Sequence, residues 1–242
     1  MLDISDIVYQ LPIPVDADLL RQEFKKFVLR QRRDLLPPRK NFIKTFAITG
    51  LEPAPGDLWY AEEAGTMESL RDPATNEEIP RLTRMHTLGY PGPRRDNLMA
   101  YYSDGVADKD LVHWHTDLID TEMYRLGLRI KKYLDIDYDL RCRLSFAQGS
   151  VEIPRHLDPH TPWRAHVTLD SGPESHWTFY DEVGSTDSIK WQEPKDTVWL
   201  VRTGDVQHSV SVPAGECRLQ LFYHIWHRKL TSEGKSVTTI DD

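Results

Sequence analysis

The spacing of apolar residues changes period near Asp135, and this change limits the fold more than any other feature of the 242-residue chain. Upstream, Val112, Ile119, Met123, Leu126, Ile130 and Leu134 recur at intervals of three, four or seven. That is the stripe of an amphipathic helix, expected from Asp108 to Asp135. Downstream the period falls to two. Short strand-like runs follow at 141–147, 163–169, 176–182, 196–202 and 217–226, divided by Gly, Pro and Asp. Such strands bury one face each and need a second sheet to cover it, so the expected architecture is α+β, with a sandwich or jelly roll as its body.

The first half reads as helix and connecting chain. In 16–33, Leu20, Phe24, Phe27 and Val28 fall at helical spacing behind Asp16 or Asp18 as N-cap, and Pro37 and Pro38 end the segment. The run 41–49 reads as a strand closed by Gly50 and Pro53. The segment 52–97 is rich in Pro, Gly and charge. Connections this long are uncommon in compact domains and often serve as lids; the alternative is a surface excursion containing short strands. Trp59, Arg84, Tyr90 and Arg94 are its residues suited to touch a ligand. No repeat or low-complexity tract divides the chain. It is therefore read as one domain, 1–242, with helices and lid or substrate loops in 1–135 and a jelly-roll core in 136–230.

Composition excludes several classes. With 39% hydrophobic and 28% charged residues, the chain has enough apolar side chains for a core without covalent staples. Two cysteines, Cys142 and Cys217, make no disulfide framework, and no CxxC pair offers a thiolate zinc site. The opening residues lack the basic and apolar regions of a signal peptide, and no apolar run is long enough to span a membrane, so a cytoplasmic location is expected. The net charge of −8 opposes nonspecific nucleic-acid binding, which depends on neutralising phosphates. RQRR at 30–33 reads as the polar end of the first helix.

Two histidine clusters compete for a metal. In VHWHTD, 112–117, the expected helix turns residues two apart about 200° from each other, so His113 and His115 would not converge. In EIPRHLDPHTPWRAH, 152–166, the strand period puts His156 and Asp158 on one side. His208, after the Gly204–Asp205 turn, supplies a third donor. Two histidines and a carboxylate with open positions form the facial triad of non-heme Fe(II) oxygenases. Arg218, ten residues after His208, would share a strand face with Gln220 and Phe222. On an inner wall it needs an anion, because an unpaired buried guanidinium is costly, and its planar fork suits a carboxylate. The alternative is an outward arginine on an edge strand.

Across about 140–230 the chain resembles the Fe(II)/2-oxoglutarate-dependent dioxygenases, in particular the aspartyl/asparaginyl β-hydroxylase and proline cis-hydroxylase branch. IPRHLD, WRAHVTL, GDVQHSVSVPAGECRLQL and LFYHIWHRKL carry the resemblance. It implies a double-stranded β-helix, the jelly-roll or cupin-like barrel, with flanking N-terminal helices. It implies Fe(II) bound by His156, Asp158 and His208, with Arg218 on the distal carboxylate of 2-oxoglutarate. His166 would lie beside that cosubstrate, and Arg164 would hold the carboxylate of an amino-acid substrate. His160 is left out of the ligand set, since a fourth protein ligand would take a position needed by 2-oxoglutarate or O2. His176, His224 and His227 read as structural or surface groups.

The implied reaction consumes 2-oxoglutarate and O2, releases succinate and CO2, and hydroxylates a C–H bond, with ascorbate as a stimulant. The retained Asp158 argues against halogenation, for which relatives lose the carboxylate. A free amino acid is the expected partner, and an amino-acid residue in a peptide or protein is the alternative. Outside this class stand a metal-dependent hydrolase, with Glu152 as general base, and a non-catalytic cupin-like binding protein.

Overall fold

The computed structural model describes residues 2–31, 42–50, 62–71, 78–88, 112–114, 118–158, 161–181, 186–225, 228–230 and 237–239. The N-terminal half contributes β1 (Val8–Leu11), α1 (Ala17–Gln31), β2 (Phe42–Ala47), β3 (Thr49–Gly50), β4 (Glu62–Arg71), β5 (Glu78–Leu88), β6 (His113–Trp114) and α2 (Glu122–Tyr133). Strands follow: β7 (Arg141–Gln148), β8 (Val151–His156), β9 (Trp163–Ser171), β10 (His176–Tyr180) and β11 (Ser188–Trp191). The last are β12 (Val198–Arg202), β13 (His208–Val212), β14 (Cys217–Ile225), β15 (Arg228–Leu230) and β16 (Val237–Thr239).

Two sheets make the body: an eight-stranded one ordered β1-β12-β9-β14-β7-β2-β4-β5 and a four-stranded one ordered β11-β10-β13-β8. Their strand pairs are antiparallel. From β7 to β14 the chain passes repeatedly between the two sheets, with β7, β9, β12 and β14 in the larger and β8, β10, β11 and β13 in the smaller. The result is a jelly-roll-like sandwich, in keeping with the period-two pattern.

Alternation along the strands divides core from site. One face of the larger sheet presents Cys142, Leu144, Ala165, Val167, Leu169, Leu219, Leu221, Tyr223 and Ile225, packed with Leu20 of α1 and Met123, Leu126 and Ile130 of α2. The intervening residues include Arg164, His166, Thr168, Arg218, Gln220 and His224, and these are also buried or half-buried. A sheet buries that much polarity where its groups find partners. Between the sheets a smaller apolar cluster, including Val8, Val201, Trp177, Phe179 and Val210, closes one side.

The helices are fixed by capping. Asp16 accepts the Leu19 N–H at 3.0 Å at the start of α1. Glu23 of α1 takes the Glu122 and Met123 N–H groups at the start of α2, at 2.7 and 3.2 Å, placing a carboxylate on that positive end. Tyr223 donates its hydroxyl to Met123 O at 2.5 Å, tying α2 to the larger sheet.

The helix expected from Asp108 is shorter than its apolar spacing suggested. Thr121 caps it, accepting the Tyr124 N–H at 3.2 Å, and Asp120 just before has φ 74, which ends any helix from upstream. His113 and Trp114 instead pair with Gly50 and Thr49 as a short strand, and Ile119 is 44% exposed, off the buried stripe. A helix therefore does not separate His113 from the rest of the 112–117 cluster, as its spacing had suggested. His113 is exposed on β6, while His115 and Asp117 lie outside the described residues.

Within 52–97, β4 and β5 form a hairpin on the edge of the larger sheet. Trp59, Tyr90, Arg94 and the side chain of Arg84 lie outside the described residues, and the lid expectation falls there with them. Among the described residues no helix is long and apolar enough to cross a membrane.

Candidate metal centre

β8 ends on His156 and β13 begins on His208, and the two are register partners. Their imidazole centroids lie 4.3 Å apart. The pairing slips between His208 and Val210, an irregularity of the kind that re-aims a side chain at a sheet end. Asp158 follows two residues after β8, on a loop stitched to the one leading into β13. Asp158 N–H donates to Thr203 O at 2.9 Å, and Thr203 and Gly204 N–H donate to Pro162 O at 3.0 and 3.1 Å. The Thr203 hydroxyl donates to Thr161 O at 2.9 Å. A Cβ on Gly204 would meet Pro162 Cα at 2.6 Å, so glycine is what lets these loops approach.

Hydrogen bonding orients both imidazoles. His156 Nδ1 lies 2.7 Å from Pro154 O and His208 Nδ1 lies 3.0 Å from Val206 O. A carbonyl only accepts, so each Nδ1 carries a hydrogen and each ring turns its Nε2 toward Asp158. Asp158 lies between them, with Oδ2 at 3.3 Å from His208 Nε2 and Oδ1 at 3.9 Å from His156 Nε2. His208 Nε2 and Asp158 Oδ2 are buried and make no hydrogen bond. Buried polar atoms left unpaired side by side in this way are what a cation satisfies.

Electrostatics point the same way. Burial, then the neighbouring His208, holds His156 below the ordinary imidazole value, keeping Nε2 free. Burial alone would raise the Asp158 carboxyl, but the Arg164 guanidinium and His208 outweigh it and hold it well below the usual carboxylate range. The three donor atoms lie within 4.8 Å of one another. Two imidazoles and a carboxylate suit a first-row divalent ion such as Fe(II). Sequence reasoning named these three residues, and the structure brings them together.

Arg164 sits at the metal carboxylate itself, Nη2 at 2.8 Å from Asp158 Oδ1. Beside it on the same sheet face, His224 is a register partner of both Arg141 and Arg164. Its Nδ1 lies 3.2 Å from the Thr161 hydroxyl. Burial, then Arg164, Arg141 and Arg143, keeps this ring well below the ordinary imidazole value. His176 is half-buried with Nδ1 at 2.7 Å from Glu174 O, and His160 and His227 lie outside the described residues.

Arg218 is 4% exposed and faces inward, sharing its face with Gln220. Its anion belongs to the chain: Glu193 Oε2 lies 3.2 Å from Arg218 Nη2. The same oxygen accepts from Gln220 Nε2 at 2.6 Å and Trp177 Nε1 at 3.2 Å, and faces His166 Nδ1 at 3.4 Å. Glu193 sits in the connection from β11 to β12, which is held to β9 by the Thr168–Lys195 bridge and by Asp196 N–H donating to Thr168 O at 3.0 Å. The Trp177 ring covers the guanidinium at 5.1 Å. Burial pushes Arg218 down to about 10 against the pull of Glu193. Burial would raise the Glu193 carboxyl, yet His166 and Arg218 hold it below the ordinary value. Burial also lowers His166. Glu193 was not foreseen, although the requirement that an inward Arg218 find an anion was the signal for it.

No protein-family model matches the sequence, and no curated protein matches it. Solved structures with similar strand arrangements include a Pseudomonas putida prolyl-4-hydroxylase, at 17% identity and TM-score 0.40 over 90% of each chain. A 2OG-Fe(II) oxygenase family oxidoreductase from Burkholderia pseudomallei matches at 14% identity and TM-score 0.42, over 90% of this chain and 84% of that one. AviO1 from Streptomyces viridochromogenes matches at 14% identity and TM-score 0.42, over 91% of this chain and 90% of that one. At such identities and scores, the functional reading rests on the residues of this chain.

Proposed function

We propose that the chain is a non-heme Fe(II)- and 2-oxoglutarate-dependent oxygenase that hydroxylates an unactivated C–H bond of a free amino acid or small amino-acid derivative. The observation that carries this reading is the convergence of His156, Asp158 and His208, each offering one donor atom within 4.8 Å of the others, with both imidazoles held through Nδ1 by backbone carbonyls. His156, Asp158 and His208 would hold Fe(II). Bound there, the metal would supply the chemistry that couples decarboxylation of 2-oxoglutarate to succinate and CO2 with oxidation of the substrate by O2. The passage of β7–β14 between two sheets supports the finer fold reading, a double-stranded β-helix within a single domain.

The protein's own task is positioning and exclusion of water. Arg218 Nε and Nη1 are buried without hydrogen-bond partners, so this guanidinium has donors left for the distal carboxylate of 2-oxoglutarate, with His166 alongside. Arg164 Nε is likewise unused while Nη2 holds Asp158. A substrate carboxylate drawn to Arg164 would thus lie next to the metal. The base nominated for the hydrolase reading is misplaced. Glu152 is exposed on β8, and the four residues to His156 span about 13 Å of extended chain.

The test is succinate release from 2-oxoglutarate with Fe(II), ascorbate and air, across the proteinogenic L-amino acids. One or a few of them should stimulate release. Silence across the panel with slow uncoupled turnover would remove free amino acids and favour peptide-borne residues. Absence of any 2-oxoglutarate turnover would defeat the oxygenase reading.

A further inference from the structure

Glu193 fills a seat built for a carboxylate. Its Oε2 gathers Arg218 Nη2, Gln220 Nε2 and Trp177 Nε1, a set of donors that would serve an incoming anion equally well. Its side chain is 1% exposed, so this is no surface pairing. In the absence of ligand such a residue has a purpose, because it neutralises a guanidinium that would otherwise lie uncompensated in the wall.

That arrangement constrains what can enter. Arg218 and Glu193 cancel, and His166 is buried and neutral, so the seat has no net charge. A further carboxylate would add an uncompensated negative charge beside Glu193. Among the described residues, the other charged groups near the seat are Arg164, two residues from His166 on β9, and Lys195, exposed on the same connection as Glu193; Thr168, Trp177 and Gln220 are uncharged. Glu193 Oε1 and His166 Nε2 are both buried with no hydrogen-bond partner, and His166 Nδ1 faces Glu193 Oε2 at 3.4 Å, so this pair has places for a proton.

We propose that Glu193 is a built-in competitor for the anion seat of Arg218: the seat admits the distal carboxylate of a 2-oxo dicarboxylate only as the His166–Glu193 pair takes up one proton. The inference rests on the oxygenase reading and adds a gatekeeping residue to it. It makes cosubstrate affinity fall as pH rises, and makes Glu193 the residue that sets this dependence.

The experiment is calorimetric titration of the Mn(II)-loaded protein with 2-oxoglutarate, without oxygen, in buffers of different ionisation enthalpy. The wild-type protein should take up about one proton per ligand, and its affinity should weaken about tenfold from pH 7 to pH 8. Glu193→Gln should take up none and bind about tenfold or more tightly than wild type at pH 8. Binding without linked protons in the wild type, or equal affinities in the two proteins, would overturn the inference while leaving the oxygenase reading intact. The wild-type proton count decides the matter even if the variant does not fold. Bound Mn(II) with no 2-oxoglutarate binding in either protein would overturn both.

Discussion

Replacing Arg218 with Met should destabilise the metal-free protein far more than replacing Arg218 and Glu193 together. The two groups sit 3.2 Å apart with side chains 4% and 1% exposed. At an effective dielectric constant near 20, unit charges at that distance attract by about 5 kcal/mol. Removing one partner from a buried pair typically costs about 3–5 kcal/mol, because the other charge stays buried alone. Arg218→Met leaves Glu193 without its cation, beside Gln220, Trp177 and His166, and should lower the unfolding free energy by about 3–5 kcal/mol. Glu193→Gln should cost about 2–3 kcal/mol, since the orphaned guanidinium keeps the Trp177 ring above it. The double variant Arg218→Met/Glu193→Gln should return to within about 1–2 kcal/mol of wild type. Urea unfolding at pH 7, followed by fluorescence, reads all corners of this cycle. Strictly additive costs would refute the claim that the two residues hold each other in one seat.

Other consequences are open to direct assay. Arg218→Ala should raise the 2-oxoglutarate requirement of turnover steeply, since a charge-assisted contact of about 1.5–3 kcal/mol is lost; an unchanged requirement would mean the cosubstrate binds elsewhere. Gly204→Ala forces the Thr203–Gly204 turn away from Pro162, which carries the Asp158 loop, and should weaken metal affinity by about 10–100-fold. Metal titration of the folded variant checks this, and wild-type affinity would refute it. His156, His166 and His224 are held below the ordinary imidazole value, so the metal-free folded protein refuses protons that the unfolded chain accepts below about pH 6.5. Their contribution is present above that pH and is lost as pH falls, so Tm should drop between pH 7 and pH 5; a flat profile would contradict these assignments.

The sequence revealed the strand-rich half best, because alternation is a short-range property. Trp163, Ala165 and Val167 do face the helices while Arg164, His166 and Thr168 face the site. Of the strands absent from the runs read in the sequence, two have evident physical reasons. β8 carries Pro154, which its place on the edge of the smaller sheet tolerates, and β1 is four residues long and gains its order from β12. The start of α2 was misjudged because apolar spacing continues upstream of Thr121. Only the cap and the left-handed Asp120 mark the boundary. The metal residues were legible because His156 and Asp158 are neighbours in sequence and the Gly204 turn announces His208. Glu193 was not, since QEPKD looks like a solvated connection until the Thr168–Lys195 bridge turns it inward.

The most direct test of the account is Co(II) titration of the metal-free protein, followed by the visible absorption of the bound ion, for wild type and His208→Ala. One tight site is expected in the wild type, weakened at least about a hundredfold when the His208 ligand is removed. Equal affinity and an equal spectrum in the two proteins would mean that His156, Asp158 and His208 do not form the metal centre.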